Sequence, residues 1–184
     1  MIGQGMHLAR ALRRIALVAV AVVAAAALGC TPTPGFSPEE QAIRSTIERY
    51  NSALADGYRA LNMSRMKEVA TKLQSEDEYI HMSSLAEGGI RLDSELMDLK
   101  FIKMSIETTS AQVETRETWD YRHYSRQTGE LVLEQKSLVY DLAYDLEKQA
   151  DDGWLVSDVR AISATTTMEP TITGTLTPST PSGH

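Results

Sequence analysis

Glu117 is the residue whose type and position could do chemistry. Along Ala111–Tyr124 the side chains alternate, with Ala111, Val113, Thr115, Glu117, Trp119, Tyr121 and His123 on one face. Gln112, Glu114, Arg116, Asp120 and Arg122 take the other, so the first face is the inward one and an acid sits in it. Burial disfavours the charged form of a carboxyl, and a neutral carboxyl among aromatic rings can serve as a general acid or base. The commoner outcome is structural, with a tyrosine hydroxyl or Lys136 satisfying the acid. Asp158 joins Glu117 only if Trp154, Val156 and Asp158 face the same way. His81, beside Tyr79 and Ile80, and His123, placed opposite Glu134, read as packing or surface residues. No histidine pair or acid cluster has metal-ligand spacing, and no glycine-rich phosphate loop or Gly-x-Ser-x-Gly occurs. No catalytic residue, metal or cofactor is therefore assigned.

The elements that must position Glu117 are legible in pattern. In Leu131–Ala161, Val132, Leu138, Tyr140, Leu142, Tyr144 and Leu146 share one parity. Asp151-Asp152-Gly153 is turn chemistry, and Trp154, Val156 and Val159 open another strand, antiparallel because the connection is too short for a crossover. A turn at Gln127-Thr128-Gly129-Glu130 joins the Glu117 strand to this one. An even loop there pairs Val113 with Tyr144, Thr115 with Leu142, Glu117 with Tyr140 and Trp119 with Leu138. On the opposite face it sets Arg116 against Asp141. Ile90–Glu107 reads as a long strand with a bulge near Leu99–Ile102.

Upstream lies helix chemistry. Ser37, Pro38 and Glu40 form a capping box, and Ile43, Ile47, Tyr50, Leu54, Tyr58 and Leu61 make one apolar stripe. Gly57 weakens this helix by about 1 kcal/mol relative to alanine. A second helix is expected over Ser64–Leu73. A third is expected from a Ser75–Glu78 capping box to Gly88-Gly89. Glu117 should then lie beneath Tyr50, Leu54 or Tyr58.

The chain has 184 residues and a formal net charge of -7. Three of its 18 basic residues, Arg10, Arg13 and Arg14, precede Cys30 and no acid does, so 15 basic and 25 acidic side chains follow, a net of -10. So acidic a surface argues against nucleic acid or anionic lipid as a partner. The single cysteine excludes an internal disulfide framework. Arg10, Arg13 and Arg14 precede the apolar run Ile15–Leu28, which is shorter than the ~20 residues of a spanning helix and reads as a secretory signal.

Ala27-Leu28-Gly29-Cys30 resembles the bacterial lipobox, which implies cleavage before Cys30 and diacylation of its sulfur. The chain then divides into a leader, 1–29, a lipid-anchored cysteine with a Thr/Pro tether, 30–37, a domain, 38–164, and a Thr/Pro/Ser tail, 165–184, expected to be disordered. Three helices followed by a bent antiparallel sheet ending in Gly153-Trp154-Leu155-Val156 resemble an NTF2-like fold. That fold is α+β, with N-terminal helices packed on the concave face of a strongly bent antiparallel sheet around a conical cavity. Gln112-Val113-Glu114-Thr115, Tyr140-Asp141-Leu142 and Trp154-Leu155-Val156 resemble the intermembrane-space domain of chloroplast division proteins and its bacterial homologues. The resemblance implies a protein-docking module, here held by lipid on the extracytoplasmic face of a bacterial envelope membrane, with a homodimer left open. The alternative it implies is a ligand site or isomerase/dehydratase-like enzyme, using a pocket of Glu117, Trp119, Tyr140, Tyr144, Tyr50 and Tyr58.

Overall fold

Ser37 starts the first helix by local hydrogen bonding. Its hydroxyl accepts from the Glu40 N–H at 3.2 Å, and Glu40 Oε2 accepts from the Ser37 N–H at 2.7 Å. That backbone bond holds the Glu40 carboxyl below the usual carboxylate range. Helix α1 spans Pro38–Ala60 in the computed structural model, which describes residues 35–166 and 171–172. Ile43, Ile47, Tyr50 and Tyr58 are buried and Leu54 is partly so, while Leu61 leaves the helix as a left-handed cap with φ 54°. Gly57 has a specific reason to lack a side chain, since a Cβ there would collide with Met63 Sδ.

The expected helix over Ser64–Leu73 does not form. The chain makes one 3-10 turn, Met66–Glu68, and then spends its backbone on a strand. Val156 N–H donates to the Val69 carbonyl at 2.9 Å, and Thr71 N–H donates to the Val156 carbonyl at 2.8 Å. Met66, Val69 and Ala70 are buried all the same, so apolar spacing alone did not distinguish a helix from this docked turn. Helix α2 spans Lys72–Glu87 and is capped by Thr71, whose hydroxyl accepts from the Gln74 N–H at 3.4 Å. Ser75 is therefore not the cap, and Glu78 is a mid-helix residue. The exit at Gly88-Gly89 is as expected, with Gly89 at φ 78°.

Four long strands follow, β1 (Ile90–Ile106), β2 (Ser110–Ser125), β3 (Leu131–Lys148) and β4 (Trp154–Thr166). They pair antiparallel in chain order, and no β1–β4 pairing closes the sheet, so it is curled and open. Thr171–Ile172, β5, pairs with Leu133 and Glu134 of β3. The helices pack on the concave face, where Ile43, Ile47 and Tyr50 share a core with Val113, Tyr144, Leu146, Trp154 and Val156. The architecture is the α+β arrangement expected from sequence. In β1 the register slips between Leu96 and Asp98 and again between Phe101 and Lys103, so the single expected bulge is two. Both bulged residues, Met97 and Ile102, are exposed.

The β2–β3 register is the expected one from Val113–Tyr144 to Trp119–Leu138. Arg116 meets Asp141 with two bonds of 2.7 and 3.1 Å, which holds the Asp141 carboxyl low. Beyond Trp119 a bulge at Ser137, φ 55°, shifts the pairing, and the Ser137 N–H donates to Asp120 Oδ1 at 2.8 Å. His123 consequently opposes Leu133 and not Glu134, and burial lowers its pKa. Val132 loses its inward parity at the same bulge, falls unpaired at a second register shift between His123 and Tyr124, and is 38% exposed. A bulge at Ser157 likewise turns Asp158 away from the Trp154 and Val156 face. Asp158 pairs with Arg160 and does not join Glu117.

Trp154, 3% exposed, closes the core at the start of β4. Trp154→Ala should destabilise the domain by about 3–5 kcal/mol. A thermal midpoint lowered by only a degree or two would place the ring outside the core.

β4 continues past Ala164 to Thr166. The leader, Cys30, the tether to Pro34 and the tail apart from Thr165, Thr166, Thr171 and Ile172 lie outside the described residues. Among the described residues, no helix is long and apolar enough to cross a membrane.

Candidate functional site

Alternation on β2 sends Glu117 inward, and four donors converge on it. Glu117 is 0% exposed. Its Oε1 accepts from Tyr144 Oη at 2.7 Å, Thr115 Oγ1 at 2.9 Å and Asn51 Nδ2 at 3.2 Å. Its Oε2 accepts from Trp119 Nε1 at 2.8 Å. A carboxylate is an acceptor only, and donors on both oxygens suit that form. Tyr140, the cross-strand partner of Glu117, is not the hydroxyl that satisfies it. Tyr144, opposite Val113, leans along the curled sheet to do so. Lys136 is engaged elsewhere, 3.3 Å from Glu134.

A second acid arrives from helix α2. Glu78 Oε1 accepts from Tyr50 Oη at 2.8 Å and Gln74 Nε2 at 3.1 Å, and Oε2 accepts from Tyr58 Oη at 3.0 Å. Gln74 Nε2 also donates to Tyr50 Oη at 2.8 Å. Tyr58 Oη lies 2.6 Å from His81 Nδ1. The hydroxyl has one proton; once it is given to Glu78, the phenol oxygen accepts from an Nδ1–H of His81. Helical spacing makes this possible, because Gln74, Glu78 and His81 are four and three residues apart on α2, and Tyr50, Leu54 and Tyr58 are four apart on α1.

Between these acids is a cavity of about 270 Å³. All six residues expected to form a pocket (Glu117, Trp119, Tyr140, Tyr144, Tyr50 and Tyr58) line it. Tyr121 completes the aromatic wall, stacked on Trp119 with centroids 6.0 Å apart. Burial raises the pKa of Tyr50, Tyr58, Tyr121 and Tyr144 well above the ordinary phenol value. Neighbouring carboxylates add to it, Glu78 for Tyr50 and Tyr58 and Glu117 for Tyr144. The hydroxyls therefore stay protonated and donate.

Sequence reasoning missed Asn51, Gln74 and Glu78 as site residues. Asn51 lies four residues after Ile47 and seven before Tyr58, so a wider stripe on α1 would have found a polar side chain in the core. Glu78 was hidden by its assignment to a cap. Among the described residues, no three His, Cys, Asp or Glu side chains gather as a metal site.

No protein-family model matches the chain, and no curated protein does either. Solved structures do. The intermembrane-space region of the chloroplast protein ARC6 superposes with a TM-score of 0.56 at 12% identity, over 70% of this chain and 98% of that one. The two share a fold. A conserved protein from Planctomyces limnophilus (TM-score 0.43, 15% identity, 67% of this chain and 98% of that one) also matches. So does Kfla4162 from Kribbella flavida (TM-score 0.41, 12% identity, 66% and 92%).

Proposed function

We propose that the domain is a binding module of the cell envelope whose cone takes a small, largely apolar ligand. The observation that carries this is the cavity itself, an open-mouthed space walled by aromatic rings with a few fixed polar groups, as ligand sites are built. Binding fits better than catalysis, because Glu117 and Glu78 already accept four and three hydrogen bonds from protein donors, which makes each a poorer proton acceptor. A fragment screen read by Trp119 fluorescence tests it. Ligands should bind wild type and be excluded by Ala161→Trp, which narrows the space from β4 while the fold is kept. A screen without hits, or hits unaffected by Ala161→Trp, would refute the reading.

A second reading, a protein-docking module, draws on exposed apolar residues of α2. Leu73, Tyr79 and Ile80 stand in solvent at 67, 56 and 62% exposure. The fold shared with an intermembrane-space region is in keeping with it. On this reading, serines at Tyr79 and Ile80 abolish in-cell crosslinks to the partner and leave cone ligands bound.

Both readings place the domain near a membrane through a lipid on Cys30. One acyl chain binds marginally and two hold firmly, at ~0.8 kcal/mol per buried CH₂. Cys30→Ser should release the protein from membranes or leave it unprocessed. A processed Cys30→Ser protein that still fractionates with membranes would exclude the anchor.

A further inference from the structure

The cone is one-sided in charge. Its lining includes two carboxylates, Glu78 and Glu117, and no lysine or arginine. His81, the one lining residue that could become cationic, is exposed. Six aromatic rings wall the space, those of Tyr50, Tyr58, Trp119, Tyr121, Tyr140 and Tyr144. Tyr50 meets Tyr144 at 87° with centroids 6.0 Å apart, and Tyr121 meets Tyr140 at 85° and 6.4 Å. Neighbouring rings set nearly perpendicular enclose a space from several directions, and every ring face is the negative pole of a quadrupole. The net charge of -10 after residue 29 adds a field of the same sign.

Such a space repels anions. It also offers few hydrogen bonds, since the hydroxyls of Tyr50, Tyr58 and Tyr144 are committed to the two acids. A primary ammonium entering it would need acceptors for three N–H groups in place of its water, and Glu117 and Glu78 already accept four and three hydrogen bonds from the protein. A quaternary ammonium has no N–H to satisfy. Its charge is spread over methyl groups that pack against ring faces, with the carboxylates behind them.

We infer that the cone binds a small organic cation carrying a quaternary ammonium, of choline-like chemistry and without an attached phosphate. The inference rests on the reading of the cone as a ligand site. An attached phosphate is excluded because it would bring negative charge toward Glu78 and Glu117.

The test titrates the purified full-length protein with choline chloride, with 3,3-dimethyl-1-butanol (its uncharged isostere) and with phosphocholine, following tryptophan emission, in which Trp119 lines the cone and Trp154 does not. Choline should bind roughly tenfold more tightly than the alcohol, from the attraction of a desolvated cation to aromatic faces. Tyr140→Leu should weaken choline by roughly fivefold and change the alcohol less. If that variant does not fold, Tyr121→Leu makes the same comparison. The alcohol or phosphocholine binding as tightly as choline would overturn the cation inference and leave the cone a ligand site. Fragments that bind where choline does not would do the same. No binding by choline or by any fragment would overturn the inference and the ligand reading together.

Discussion

Glu117→Leu is expected to destabilise the domain by about 4–6 kcal/mol, although it places an apolar side chain in the core. The reason is the four donors. Tyr144 Oη, Thr115 Oγ1, Asn51 Nδ2 and Trp119 Nε1 all end on this carboxylate. Leucine would leave Thr115 Oγ1, Asn51 Nδ2 and Trp119 Nε1 buried without that acceptor, each at a cost of ~1–3 kcal/mol, partly relieved where the cavity admits water, while Tyr144 Oη keeps Asn51 Oδ1 at 3.1 Å. Glu117→Gln discriminates further. Its amide oxygen can replace Oε1 toward three donors, but its NH₂ must then face Trp119 Nε1–H, donor against donor. Gln should therefore cost ~1–3 kcal/mol, between wild type and Leu. A functional acid held against its own stability would behave oppositely, with both substitutions raising the melting temperature. Urea unfolding of the three proteins decides between these. A Leu variant as stable as wild type would mean that the donors find other partners and that the carboxylate does not organise the core.

That network was only partly legible. Parity alone brought Glu117, Trp119 and the β3 tyrosines to one face, because a strand's period of two tolerates no local ambiguity between Ala111 and Trp119. It failed where a single inserted residue flips the faces. Ser137 and Ser157 carry no sequence mark that separates a bulge from a regular strand position, and with them went Val132, His123 and Asp158. The helical side failed differently. Met66, Val69 and Ala70 satisfy a helical spacing, yet the backbone there bonds to Val156, a partner some ninety residues away that no local pattern announces. Glu78 was misassigned because Ser75–Glu78 matches a capping box, and the true cap, Thr71, lies one turn earlier. The second acid of the cone was lost with that turn.

Alkaline pH should unfold the domain steeply. Tyr50, Tyr58, Tyr121 and Tyr144 have pKa values raised by burial in the folded state, well above the unfolded value of about 10. Below pH ~10 both states hold these protons, and stability does not depend on pH through them. Above it the unfolded chain releases protons that the native state keeps, so stability falls as pH rises. Each tyrosine contributes a slope approaching ~1.4 kcal/mol per pH unit, and four together should cost about 5–6 kcal/mol between pH 9 and 11. That is comparable to the whole stability of many domains of this size. Tyr144→Phe removes one titrating group, so its slope should be flatter by about a quarter even though the variant starts less stable for want of the Glu117 bond. Urea midpoints at a series of pH values give the slope, and tyrosinate absorbance in native buffer shows which hydroxyls ionise before unfolding. If these four tyrosines ionised near pH 10 in the folded protein without loss of stability, they would be solvated. The cone would then be a wet cleft in which neither carboxylate is shielded, and its selectivity for a cation would fail with it.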